Sequence, residues 1–146
     1  MLRAAAWLGL SGAVVAIDQL TKLWVRSELT GGESVTVTAF FDLVLMYNSG
    51  AAFSFLSSAS GWQRWFFVAL ATAISAWLIV LIRRHAAECW MPLALSLILG
   101  GALGNLVDRL AHGAVVDFLY FHAGRYGWPA FNAADSAITL GVALLV

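Results

Sequence analysis

Asp117, in GAVVDFLYF, and Asp135, in FNAADSAI, are the side chains of this chain best suited to chemistry. Both stand beside long apolar runs. An ionisable group near a bilayer is costly to keep there, so its presence points to function. Two carboxyl groups that converge in such a setting cannot both ionise cheaply. One proton shared between them leaves a base and an acid side by side. Asp117 follows Val115 and Val116 and precedes Phe118, Leu119 and Tyr120, an apolar setting that raises a carboxyl pKa. Asp135 also has a purely structural reading. Asn132 is a good helix N-cap, and Asp135 three residues on would complete a variant of the capping box.

Other polar residues interrupt apolar stretches at helical spacing. Asp18 and Lys22 are four apart and share a helix face. They read as a pair that lowers the cost of two charges near the interface, with a positioning role beneath the site. Gly100 and Gly104 form a GxxxG pattern, which permits close helix approach. Asn105, Asp108 and Arg109 follow within about one turn and project to one side, as a site wall or an interhelical clamp would. The Gly100–Asn105 stretch is no nucleotide loop, because it lies inside an apolar helix rather than after a strand. His112 and His122 flank Asp117, but the spacings match no zinc pattern, and no metal or cofactor is expected. Gly9-Leu10-Ser11-Gly12 lies mid-helix, and all three histidines lie in expected loops, so Ser11 lacks a base and packing explains the motif better. The single cysteine, Cys89, excludes an intrachain disulfide.

These residues must be carried by membrane helices. The chain has 146 residues, 62% hydrophobic and only 11% charged, against about 25% charged in soluble domains. Its mean hydropathy is +0.86. Zero net charge gives no basic surface for nucleic acid. The N-terminus imitates a secretory signal, but its apolar run is long and Asp18 and Lys22 continue the helical phase, so a retained span is expected. We expect one integral membrane domain over 1–146: an all-α protein of four transmembrane helices, at about 4–24, 62–82, 91–110 and 132–146. The last stretch rises only ~21 Å at 1.5 Å per residue, short of a ~30 Å hydrocarbon core, so helix four is expected to be trimmed or incomplete.

Two segments, about 27–61 and 111–131, fall on one side. In the first, Ser34–Thr38 alternates and Phe41–Tyr47 is β-prone, which suggests a small β-cradle. Asn48-Ser49-Gly50 is a turn, and residues 51–56 suit a short surface helix. The second is expected to be a loop. A raw count of Lys and Arg opposes the positive-inside rule. The compact Arg83–Arg84 pair in a short turn is the better signal, and it places both chain ends inside.

Five blocks, in order, resemble the lipoprotein signal peptidase (signal peptidase II) family. They are Asp18–Lys22, Tyr47–Ser54, Gly100–Arg109, Val115–Phe118 and Phe131–Asp135. The resemblance implies a four-helix aspartic endopeptidase of the bacterial inner membrane; its active site is expected on the extracytoplasmic side, and the protein is expected to be a monomer. It implies a diacylglyceryl-prolipoprotein substrate, cut just before the lipidated cysteine, with membrane lipids as neighbours. It implies that Asp117 and Asp135 are the catalytic pair. Asn48, Asn105, Arg109 and Asn132 then match residues that line the site, and Asp18, Lys22 and Asp108 match supporting ones. Two other readings compete. A proton-coupled transporter would need one carrier acid, Asp18, and no Asp117; an assembly factor would need the polar cluster for structure alone.

Overall fold

The computed structural model describes residues 2–50 and 61–146. The surface helix expected over 51–56 lies outside them. Among the described residues four helices and four strands follow in order: α1 (Leu2–Glu28), β1 (Ser34–Thr38), β2 (Phe41–Asn48), α2 (Trp62–Arg84), α3 (Trp90–His112), β3 (Val115–Ala123), β4 (Tyr126–Gly127) and α4 (Ala133–Leu145). Three of the helices, α1, α2 and α3, are long and apolar enough to cross a membrane; α4 is apolar but shorter, at 13 residues.

Packing follows the distribution of small residues. Helix α3 lies against α1, α2 and α4. Side chains added at its glycines would collide with those neighbours. A Cβ at Gly100 would lie 2.5 Å from Val14 of α1, one at Gly104 would lie 2.5 Å from Asp18 Oδ2, and one at Gly101 would meet the carbonyl of Ala134 on α4. The GxxxG pair therefore stands at a helix–helix contact, as expected, and Gly101 adds the second contact. Gly141 answers from α4 against Ile98 and Ala94 of α3. Leu78, Ile82, Leu95 and Leu99 fill the contact between α2 and α3. The outward faces keep Leu20, Leu23, Trp65, Phe66, Trp77 and Val80 exposed, a distribution that suits lipid rather than water.

Both ends of the bundle are identifiable. Arg3 donates to the Ala87 carbonyl and Trp7 to that of Ala86, so α1 begins beside the α2–α3 turn with its Arg83–Arg84 pair. Helices α1 and α3 therefore run in the same direction. The sheet, the start of α2 and the start of α4 gather at the opposite end.

One expectation needs correction. The β-cradle is not confined to the first segment of an otherwise all-α protein: residues 115–123, expected as loop, form β3. The order is β1-β2-β3-β4, all antiparallel, with Met46 opposite Asp117 and Asn48 opposite Val115. The physical reason is partnership. VVDFLYFHA is rich in β-branched and aromatic residues, but a strand needs a neighbour, and its neighbour lies about seventy residues earlier. Val25 of α1 packs with Leu45, Val116 and Phe118 to seat the sheet on the bundle. The helix limits also differ slightly: α1 runs to Glu28, and Asn132 is the cap of α4 rather than its first residue.

The α3–α4 contact yields a test. Gly101→Ala must push α4 away at Ala134, next to Asp135, and overpacking of this kind typically costs about 1–3 kcal/mol. The thermal unfolding midpoint in detergent should fall. An unchanged midpoint would mean that α3 and α4 do not meet there.

Candidate active site

The site is built outward from a buried ammonium. Lys22 Nζ lies 2.7 Å from Asp18 Oδ2 and 2.7 Å from Asp108 Oδ2. It also donates to Asn105 Oδ1 at 3.1 Å. Lys22, Asp18 and Asp108 are all almost fully buried. Each carboxylate then reaches the backbone of an element that bears a candidate acid. Asp18 Oδ1 accepts from the Ala134 N–H at 2.9 Å, and Asp108 Oδ2 accepts from the Val116 N–H at 2.9 Å. Ala134 precedes Asp135 and Val116 precedes Asp117. Gln19 Nε2 ties the cluster together, donating to Asp108 Oδ1, to Asp18 Oδ2 and to the Gly104 carbonyl. Gln19 falls inside the Asp18–Lys22 block, where no role of its own is evident from the sequence. An amide in an apolar helix beside Asp18 was the available signal.

The amides are oriented by what they must serve. An ammonium only donates, so Lys22 turns the oxygen of Asn105 toward itself. The Asn105 Nδ2 group then faces Asp135 Oδ1 at 2.9 Å. Asn132 caps α4: its Oδ1 accepts from the Asp135 N–H at 2.9 Å, and its own N–H donates to Asp135 Oδ2 at 3.3 Å. The capping box is thus formed as expected. The same Asn132 also sends Nδ2 to Asp117 Oδ1 at 2.8 Å, to the Val116 carbonyl and to Asn105 Oδ1. One fully buried asparagine therefore touches both candidate acids. Asn48 closes the other side, donating from Nδ2 to Asp117 Oδ2 at 3.1 Å while its Oδ1 accepts from the Gly50 N–H. Gly50 has φ +109°, and a Cβ there would strike the Phe67 ring, so only glycine completes this turn without strain.

Asp117, Asp135, Asn48, Asn105 and Asn132 thus form one network, with Asp18, Lys22 and Asp108 beneath it. Arg109 stands apart. A charge in this setting calls for an acid or carbonyl partner. Instead its guanidinium lies over the Phe67 ring, 5.1 Å from the centroid, and no bond to an acid is seen among the described residues. His122 lies 3.2 Å from Asp42 on the sheet, and His112 pairs with Arg26.

Burial and the charge of Asp135 push the Asp117 carboxyl up to about 6, against the opposing pull of the Asn48 and Asn132 donors. Two apolar grooves reach the network. One, of about 620 Å³, runs along α4 past Trp128, Phe131, Asp135, Thr139 and Leu140. The other, of about 220 Å³, lies between α2, α3 and α4, with Leu70, Ile74, Asn105, Arg109 and Ile138 on its walls.

Spanning-length apolar helices mark a membrane protein, and the two amide-clamped carboxyl groups at one end of the bundle are its candidate acid–base site. The family described as Signal peptidase (SPase) II matches residues 10–146. A lipoprotein signal peptidase of Azoarcus sp. (strain BH72) is 64% identical over 140 residues, covering 96% of this chain and 80% of that protein. One from Paraburkholderia phymatum is 54% identical over 142 residues, covering 97% of this chain and 86% of its own length. Two solved structures are similar, each described as a bacterial membrane enzyme obtained by the in meso method. The first, at 2.3 Å resolution, has a TM-score of 0.82 and 34% identity, covering 97% of this chain and 85% of its own. The second, at 1.9 Å, has a TM-score of 0.80 and 32% identity, covering 97% and 90%. The chain belongs to the signal peptidase II family.

Two outcomes follow from the network. Lys22→Met leaves Asp18 and Asp108 buried without their counter-charge, and breaking a buried pair in this way costs about 3–5 kcal/mol. The unfolding midpoint should drop sharply; an unchanged midpoint would contradict the architectural role. The second concerns pH. A carboxyl whose folded pKa is raised to about 6 favours folding below its ordinary value of 3.8, and that contribution is lost as pH rises through about 6. The stability of wild type relative to Asp117→Asn should therefore decline between about pH 4 and 7, as followed by thermal unfolding; a constant difference would contradict the raised pKa.

Proposed function

We propose that this chain is an aspartic endopeptidase of the bacterial inner membrane. It removes the signal peptide from diacylglyceryl-modified prolipoproteins, cutting just before the lipidated cysteine. Its site faces the extracytoplasmic side, it acts as a monomer, and it uses neither metal nor cofactor. The observation that carries this reading is Asn132, which binds Asp117 through its side chain and Asp135 through its backbone N–H.

The chemistry needs one proton on the pair. Asp117, with its raised pKa, holds that proton in the free enzyme, and Asp135 is the base. Asp135 takes a proton from water as the water oxygen attacks the scissile carbonyl carbon. Asp117 gives its proton to the carbonyl oxygen, which forms a neutral tetrahedral diol. The diol then collapses: the C–N bond breaks, the proton on Asp135 passes to the leaving amine of the lipidated cysteine, and a hydroxyl proton returns to Asp117. Atoms and charge balance without a covalent enzyme intermediate. The grooves beside Asp135 and Asn105 suit an apolar signal segment and lipid chains that arrive laterally from the bilayer.

Asp117→Asn and Asp135→Asn should each reduce cleavage of lipidated prolipoprotein by several orders of magnitude, measured by gel shift on purified, folded variants. Chelators should change nothing. Asn132→Ala should hurt less than either, since it removes a cap and a clamp but no proton carrier. Wild-type turnover by Asp117→Asn would sink the aspartic mechanism and favour a transporter or an assembly factor. The pH profile is a separate check. Loss of the shared proton should make kcat/KM fall as pH rises through about 6, and the corresponding limb of kcat should lie higher, because bound substrate dries the site further. Activity that climbs through this range would contradict the assignment.

A further inference from the structure

Arg26 and His112 are used by neither the network nor the helix ends. They sit in the last turns of α1 and α3, which run side by side to the catalytic end. Arg26 Nη1 lies 2.9 Å from His112 Nε2, and both side chains are exposed. A guanidinium only donates, so the imidazole accepts and the remaining guanidinium donors point elsewhere. Helix ends commonly hold basic residues to serve their last carbonyls. Here that work is done by others. Arg64 Nη2 donates to the Leu110 carbonyl at 2.7 Å, and the Gly113 N–H bonds the Arg109 carbonyl. On α1, Ser27 Oγ serves Trp24 and the Leu29 N–H serves Val25. Among the described residues Arg26 donates to no carbonyl.

Arg26 and His112 stand at the mouth of a groove of about 190 Å³ between α1 and α3. Leu20 and Leu23 line it and are more than half exposed, at 65% and 61%. They precede Arg26 by six and three residues, so the wall runs from the charged mouth toward the middle of the span. On the inner side it is floored by Lys22 and Asp108, whose charges already satisfy each other. A basic rim above an exposed leucine wall complements one kind of ligand. Its head is an anionic phosphate and its tail is a hydrocarbon chain. A free anion would gain nothing from the wall, and a neutral lipid nothing from the rim.

We propose that the α1–α3 groove binds an anionic phospholipid of the leaflet bordering the catalytic end. Its phosphate sits at Arg26 and His112, and an acyl chain lies along Leu20 and Leu23. The site is separate from both grooves beside the carboxyl pair. It does not depend on the proposed peptidase mechanism.

The test offers purified protein equal amounts of phosphatidylglycerol and phosphatidylcholine with identical chains, and counts bound lipid by native mass spectrometry. Wild type should favour phosphatidylglycerol by about fivefold, the factor expected for one basic side chain near an anionic headgroup. Arg26→Ala combined with His112→Ala should bring the ratio close to one, while Arg26→Lys should retain most of the preference. Millimolar inorganic phosphate should leave the wild-type ratio unchanged. An equal uptake of both lipids by wild type would overturn the proposal, as would an undiminished preference in the double variant. Loss of the preference to inorganic phosphate would show a simple anion site and would overturn the lipid assignment. The wild-type ratio and the phosphate arm need no variant, so a double variant that fails to fold leaves the proposal testable.

Discussion

Everything around the carboxyl pair hangs on Lys22 lying between Asp18 and Asp108. A buried ion pair is weak evidence for stability in general, since desolvation offsets much of the attraction. Its value here is positional. Two carboxylates and one ammonium leave a surplus of acceptors, and those acceptors are used on backbone N–H groups of α4 and β3. One belongs to the residue before Asp135 and the other to the residue before Asp117. The carboxyl pair is thereby fixed through the chain that carries it. Removing the ammonium would loosen both anchors together.

A second layer orients what the first one places. Asn105 receives its direction from Lys22 and passes it to Asp135. Asn132 receives its direction from the start of α4 and passes it to Asp117. Amides suit this duty because they donate and accept at fixed angles and carry no charge that would compensate the acids. For Asp117, burial and the charge of Asp135 outweigh the pull of the amide donors, and its pKa is raised. This arrangement also weighs against the transporter reading. A carrier acid must exchange its proton with both sides, whereas Asp18 is held by Lys22 and by a helix N-terminus.

Local pattern made the helices legible. Apolar runs of spanning length, the paired Asp18–Lys22 spacing, the small-residue contact at Gly100 and Gly104, and the Asn132 cap are all visible within a few turns of chain. The strand over 115–123 was not, because its identity depends on β2, which lies in a different part of the sequence. The same limit hid Gln19, whose partners lie on α3, and the position of Arg109 over Phe67 of α2. Asn132 shows the limit most clearly. Its capping role could be read from Asn-Ala-Ala-Asp alone, but its bond to Asp117 required knowing that β3 passes beside the start of α4. The family resemblance filled that gap by motif rather than by physics.

An acid–base role requires the two carboxyl groups to behave as one coupled pair. Carboxyl-labelled aspartate NMR on the membrane-reconstituted protein, titrated in wild type and in Asp135→Asn, measures that coupling directly. Asp117 should titrate at about 6 in wild type and distinctly lower once the charge of Asp135 is gone, remaining above its ordinary value because it is still buried. An Asp117 titration that does not move on loss of Asp135 would contradict that coupling.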